Sequence, residues 1–315
     1  MAYAVDRERQ AAFAKMLENC ANFDKDVRHT GALDLCNEVT KSADQLEETL
    51  EKRICAAFIA HLEDESMEVK SNAVKCIQRV SPKIREVHLT MIVTKLINEI
   101  VGGQLEALDI FSLTVRGVVN DCSDAYAPSL IHTVYPHLLR GIEQGATQVK
   151  EECLDICTEV FKRFGLIILR QPNLVNKEQL MTAINAQLTG GQTLSLRKRA
   201  SYAMGQFAVV LNNAQLSKLI TLLLRKIDSR QAQADTIIQV QCLSIIAKSI
   251  GSKLSPHLAQ IIPSLDRLSA DLSPEESRDE DNELAETALS TLEAIIRKCP
   301  LEVSDHLVGL LAKAF

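Results

Sequence analysis

Cys153 and Cys157 stand four residues apart, a spacing that puts two thiols on one helical face, where as thiolates they could fill two of zinc's four tetrahedral positions. The other two ligands are missing, because no neighbouring Cys or His pair has metal-ligand spacing. His132 and His137, five apart, fall on different helical faces. Both thiols therefore read as core. The pairs Gly102-Gly103 and Gly190-Gly191 could line a phosphate cradle, but each follows an apolar-periodic segment, where helices end in left-handed geometry, and they read as caps. No HExxH, GxSxG, P-loop or dinucleotide-binding signature occurs, and nothing places Ser, His and Asp together. The expectation is a chain without catalytic residues, metal or cofactor.

The elements that must carry these residues repeat. Seven times a hydrophobic residue opens an amphipathic stretch, at Val27, Val69, Leu105, Val149, Leu196, Ile238 and Leu284. A small residue follows four places later: Gly31, Ala73, Cys153, Ala200, Cys242 and Ala288, with Asp109 breaking the series. Eight places on stand Leu35, Ile77, Leu113, Cys157, Met204, Ile246 and Leu292. Two antiparallel helices must approach to roughly 8–10 Å, which a large side chain at their crossing prevents. A period of 36 to 47 residues with two helical patterns per copy is the signature of an α-solenoid of the HEAT kind.

The expected architecture is all-α, about seven helical hairpins plus a terminal unpaired helix in a single solenoid over 1–315. The repeats are 6–42, 44–82, 84–122, 128–165, 177–211, 213–251 and 255–300, with a half-repeat at 301–315. Helix A of each repeat starts near Asp6, Asp44, Ile84, Pro128, Lys177, Asn213 and Ser255, and helix B near the openers. Pro136 and Pro263 fall inside two A helices, where a missing backbone bond normally kinks the helix. Val303, Leu307, Leu310, Leu311 and Phe315 make one apolar stripe at the carboxy-terminal end, a docking edge because half a repeat cannot bury both its flanks.

Composition agrees. Hydrophobic residues make up 46% of the 315, aromatics only 4%, and Trp is absent, which suits layers of Leu, Ile, Val and Ala better than a β-sandwich. A net charge of −6 argues against nucleic acid as the principal partner. Apolar runs such as 166–169 and 222–224 are far too short to span a bilayer, and the amino terminus lacks the pattern of a secretion signal, so no membrane partner is expected. Nine cysteines, several at core positions, read as reduced thiols, and the expected location is cytoplasmic and nuclear.

Function should then lie on a long surface. Arg28, Lys70, Lys150 and Arg197, one place beyond their openers, suggest a ladder of ion pairs between adjacent repeats with acids such as Asp26. Projecting two, three, six and ten places beyond the openers gives the residues expected on the concave face. These are Lys75 and Arg79, then Glu151, Glu152, Asp155 and Glu159, then Lys198, Arg199, Tyr202 and Gln206. Charge changes sign from repeat to repeat, as in an ordinary solvated face or in a groove patterned to grip a partner. The acidic stretch from Asp271 to Glu286 reads as a loop between helices of the seventh copy.

Five segments carry a resemblance: "FDKDVRHTGALDL" (23–35), "EVKSNAVKCI" (68–77), "VKEECLDI" (149–156), "LRKRASYAMGQF" (196–207) and "RKCPLEV" (297–303). In that order they resemble the amino-terminal repeats of the cullin-associated, neddylation-dissociated proteins. The resemblance implies a non-enzymatic regulator of cullin–RING ubiquitin ligases, which binds the carboxy-terminal region of an unneddylated cullin and its RING subunit and blocks neddylation. Together with a carboxy-terminal half, absent here, it would promote substrate-receptor exchange. Family members are several times longer, so the chain is expected to be either a piece of a longer protein or one half of a protein encoded as two polypeptides, its end docking a separate carboxy-terminal chain. The alternative is a generic HEAT scaffold or nuclear-transport-type adaptor, which shares the architecture.

Overall fold

A computed structural model describes residues 2–43, 45–102, 107–230, 232–269 and 279–304. All regular structure among them is helical, and the chain divides into two compact units, Met1–Arg163 and Phe164–Phe315.

In the first unit the hairpins are α1 (Ala2–Cys20) with α2 (Lys25–Lys41), α3 (Glu48–Leu62) with α4 (Met67–Val80), and α5 (Glu86–Gly102) with α6 (Leu108–Asp121). They are followed by α7 (Ala127–Gln144) and α8 (Thr147–Arg170). B helices stack on B helices, α2 on α4 and α4 on α6; A helices stack likewise, α1 on α3, α3 on α5 and α5 on α7. In the second unit α9 (Lys177–Gly190) pairs with α10 (Leu194–Phe207), α11 (Asn213–Ser229) with α12 (Gln233–Ile250), and α13 (Leu258–Ser269) with α14 (Asp279–Lys298). There α10 packs on α12 and α12 on α14. The architecture is an α-solenoid of HEAT-type hairpins.

Local sequence explains where the helices begin. The Asp24 carboxylate accepts from Asp26 N at the start of α2, Asn176 caps α9, and Thr193 accepts from Leu196 N at the start of α10. Asn212 and Gln215 form a reciprocal capping box at α11. Both α7 and α13 run through their internal prolines.

The repeat register sets the core. Ala73, Cys153, Ala200, Cys242 and Ala288 have at most traces of exposure, and Gly31 is buried. Its α-carbon lies so close to α1 that a Cβ would stand 2.7 Å from Asn19 Cβ and 2.9 Å from Cys20 N. Gly141 does the same opposite Cys153, whose sulfur would be 2.4 Å from an added Cβ. Because the obstruction at Gly31 includes backbone, Gly31→Ala should destabilise by about 1–3 kcal/mol. At Gly190 nothing lies within 4 Å, so Gly190→Ala should be neutral or slightly stabilising. Paired chemical denaturation of the two variants checks the contrast.

Three expectations need correction. Leu105 lies outside the described residues, and the third-copy register built on it fails, since Asp109 and Leu113 are exposed. Starting three residues later, at Leu108, gives the small place to fully buried Ser112, but the place eight on then falls to half-buried Arg116, so this copy keeps only the first part of the pattern. Gly191 is not left-handed: its φ is −60°, its N–H donates to Gln187 O, and a Cβ there would meet that oxygen at 2.5 Å. Among the described residues the positive-φ positions are Arg230, left-handed at the end of α11, and Gly251 at the end of α12. Gly103 lies outside the described residues. The acidic stretch is in part helical, because α14 already begins at Asp279; acids suit a helix amino terminus. Asp271 to Arg278 lie outside the described residues.

Candidate protein-binding surface

The ion-pair ladder is partly built. Arg28 on α2 reaches Asp64 of the next repeat with Nε to Oδ2 at 2.6 Å and Nη2 to Oδ1 at 2.9 Å, and Arg197 on α10 pairs with Asp235 on α12. The acceptors are therefore Asp64 and Asp235, not Asp26. Lys70 and Lys150 have no ion-pair partner among the described residues. Further links between successive repeats come from Lys83 Nζ donating to Ser42 O and Lys253 Nζ to Leu211 O, each closing the end of the preceding B helix.

In the first unit Lys75 and Arg79 are exposed on α4, and Arg79 Nη2 donates to Asn37 Oδ1 on α2 at 3.0 Å. On α8 the acids sit deeper than a freely solvated row. Glu152 is buried; Glu151, Asp155 and Glu159 are half-buried. Asp155 faces Arg116 of α6 at 3.8 Å, and Glu159 lies 3.7 Å from Lys162. Part of this negative potential is therefore spent on the α6–α8 seam.

In the second unit two of the four projected residues, Lys198 and Tyr202, border a groove of about 410 Å³ over α10, α12 and α14, and Arg199 and Gln206 do not line it. Lys198 and Tyr202 form its α10 wall, Gln241 and Lys248 its α12 floor, and Glu286 and Ser290 its α14 wall. Tyr202 is 58% exposed. Lys198, Lys248 and Glu286 are exposed and have no ion-pair partner among the described residues. Arg199 and Gln206 are half-buried on the same helix. Gln241, Lys248, Glu286 and Ser290 were not among the projected residues, although offsets of three and ten from Ile238, and of two and six from Leu284, reach all four.

The carboxy-terminal edge is described only at its start. Val303 is buried, its N–H donating to Cys299 O; Leu307, Leu310, Leu311 and Phe315 lie outside the described residues.

The thiols stay in the core, whereas His132 is exposed and His137 half-buried on α7. All nine cysteines are free and buried. Burial, with a smaller push from Glu152, raises the Cys153 thiol to about 12; burial pushes Cys157 up and Cys242 to about 12. Neutral thiols are poor metal ligands and poor nucleophiles. Iodoacetamide at pH 8 should therefore leave these three untouched in the folded chain and label them in denaturant, as peptide mass mapping would show. Among the described residues no group of three or more His, Cys, Asp or Glu is placed to hold a metal, and no helix is long and apolar enough to cross a membrane.

No protein-family model matches the chain. It is similar to cullin-associated NEDD8-dissociated protein 1 of Drosophila melanogaster, 28% identical over 301 residues, which cover 95% of this chain and 23% of that protein. The Arabidopsis thaliana protein of the same name is 27% identical over 90% of the chain, and cullin-associated NEDD8-dissociated protein 2 of Mus musculus 27% over 93%. The chain is a distant relative of these proteins. It spans 23% of the length of each. Among solved structures, the karyopherin Kap121p bound to Ste12p superposes with a TM-score of 0.62 at 13% identity, covering 98% of this chain and 31% of that one. The Kap95:Nup1 complex gives 0.62 at 14%, covering 96% and 39%. These likenesses bear on the fold alone.

Proposed function

We propose that the chain is a non-enzymatic HEAT scaffold that holds a protein partner against the solvent faces of its B helices. The observation that carries this reading is the α10–α12–α14 groove, where Lys198, Lys248 and Glu286 stand unneutralised beside an exposed Tyr202 on an otherwise well-packed frame. Aromatic and charged groups of this kind supply anchors and orientation at protein interfaces.

Within that class the partner is read as an unneddylated cullin with its RING subunit. Support comes from the distant relatives that align along 90–95% of the chain. Blocking neddylation would follow from occupying the cullin's modification region, and receptor exchange would need a carboxy-terminal half from elsewhere. The karyopherin-like fold supports a second reading, a transport-type adaptor.

Calorimetric titration of the chain with a purified cullin–RING complex, unmodified and neddylated, and separately with Ran, which the structurally similar Kap95p binds, tests both. The cullin reading expects binding to the unmodified complex alone, weakened about tenfold or more by Lys198→Glu with Lys248→Glu. Equal binding to both cullin forms sinks it. Binding to Ran instead selects the adaptor.

A further inference from the structure

Away from the B-helix groove, the turn joining α1 to α2 carries Phe23 with 95% of its surface in solvent, the most exposed large apolar side chain among the described residues. The corresponding turn of the next repeat leads into Met67, the first residue of α4, which is 48% exposed. The two turns are clasped together. Arg28 Nη1 donates to Asn22 O at 2.9 Å and to Phe23 O at 2.8 Å, while the rest of the guanidinium holds the Asp64 carboxylate. Asp64 Oδ1 in turn accepts from Ser66 N at 2.8 Å, and Lys25 Nζ meets Glu68 Oε2 at 2.8 Å across the same junction. Phe23 is thus presented on a backbone whose carbonyls are already pinned.

A rigid, exposed aromatic loses little conformational freedom on binding, which is why such residues dominate interface energetics. The charges around it say what it would meet. Lys25 is neutralised by Glu68 and Arg28 by Asp64; Asp24, Asp26 and Glu65 are exposed and form no ion pair among the described residues. Lys25 lies within electrostatic range of Asp24 and Asp26, and Arg28 of Asp24 and Glu65, but the acids outnumber these two bases. The ridge is apolar with an acidic rim. A second copy meeting it through the same ridge, or an anionic lipid surface, would bring like charge against that rim.

We propose that the Phe23–Met67 ridge is a docking anchor for a second protein that presents an apolar face or recess rimmed by lysine or arginine. This surface is separate from the B-helix groove and stands whether or not the cullin reading holds.

The probe is a labelled amphipathic helical peptide of leucine and lysine, titrated into the full chain by fluorescence anisotropy, with methyl NMR of the methionines. The expected result is saturable binding that shifts the Met67 methyl, weakened about tenfold by Phe23→Ser and likewise by Asp26→Lys and Glu65→Lys together. Leu166→Ser, removing a leucine 60% exposed elsewhere, should leave binding unchanged. Phe23 is a surface residue, so a thermal melt should confirm an intact fold in its variant. Wild-type affinity in Phe23→Ser, equal losses in Phe23→Ser and Leu166→Ser, or Phe23-dependent dimerisation without peptide binding would each overturn the proposal.

Discussion

Replacing Glu51 by leucine should lower the stability of the first unit by about 3–5 kcal/mol, the largest effect expected of any single substitution described here. Glu51 lies on α3 with no exposed surface, yet it is a carboxylate. Its Oε1 accepts from Arg85 N at 2.7 Å and lies 2.7 Å from His88 Nδ1, and Oε2 pairs with Arg85 Nη1. Arg85 Nη2 also donates to Leu46 O at 2.7 Å. One acid therefore ties the start of α5 and the connection before α3 into a single node. Leucine would fill the space but leave the guanidinium, the imidazole and a backbone N–H without their shared acceptor. Uncompensated buried polar groups of this kind cost more than the lost pair itself. For a unit of this size the melting temperature should fall by on the order of 10 °C. Glu63→Ala provides the control, because the Lys95–Glu63 pair is largely solvated and should be worth less than about 1 kcal/mol. A small loss at Glu51 would mean that the node merely tolerates its charge.

This node shows where sequence reasoning stops. Glu51 is more than thirty residues away from Arg85 and His88, so only the packing of α3 on α5 brings the acid to them. The hairpins themselves were legible, since every B helix must bury a stripe against two neighbours and the small residue at the crossing is set by backbone distance. That logic located Gly31, Ala73, Cys153, Ala200, Cys242 and Ala288. It failed at Asp109, where a three-residue slip keeps helical periodicity nearly intact and apolar residues alone could not fix the phase. Ser112, buried in the small position, is polar and gave no hydrophobic signal. At the candidate surface, Lys198 and Tyr202 were reached by counting from Leu196, and the facing residues on α12 and α14 obey the same count. How deeply Asp155 sits was not legible, because it faces Arg116 of a different repeat.

Substituting Arg28 by methionine should destabilise the first unit by about 2–3 kcal/mol and flatten its response to acid. The guanidinium makes two charge-assisted bonds to Asp64 and donates to the carbonyls of Asn22 and Phe23, so methionine keeps the stem while four donor contacts disappear. Hydrogen bonds to charged groups contribute about 1.5–3 kcal/mol, and here the two to carboxylate share one arginine. The pH dependence follows from Asp64. Burial alone would raise its carboxyl, but the Arg28 bonds, helped by Ser66 N–H and by the arginine's charge, outweigh that and hold it below the usual range. A carboxyl depressed by folding stabilises fully above its unfolded value of about 3.9 and loses that contribution as pH falls through the lower folded value. Wild type should therefore lose stability steeply below about pH 4, whereas Arg28→Met, in which the Ser66 N–H remains to lower Asp64 but the arginine's bonds and charge are gone, should lose less over the same interval. Urea melts across that range read both slopes. Parallel curves would show that Asp64 is not set by Arg28, and that the clasp presenting Phe23 is looser than its geometry implies.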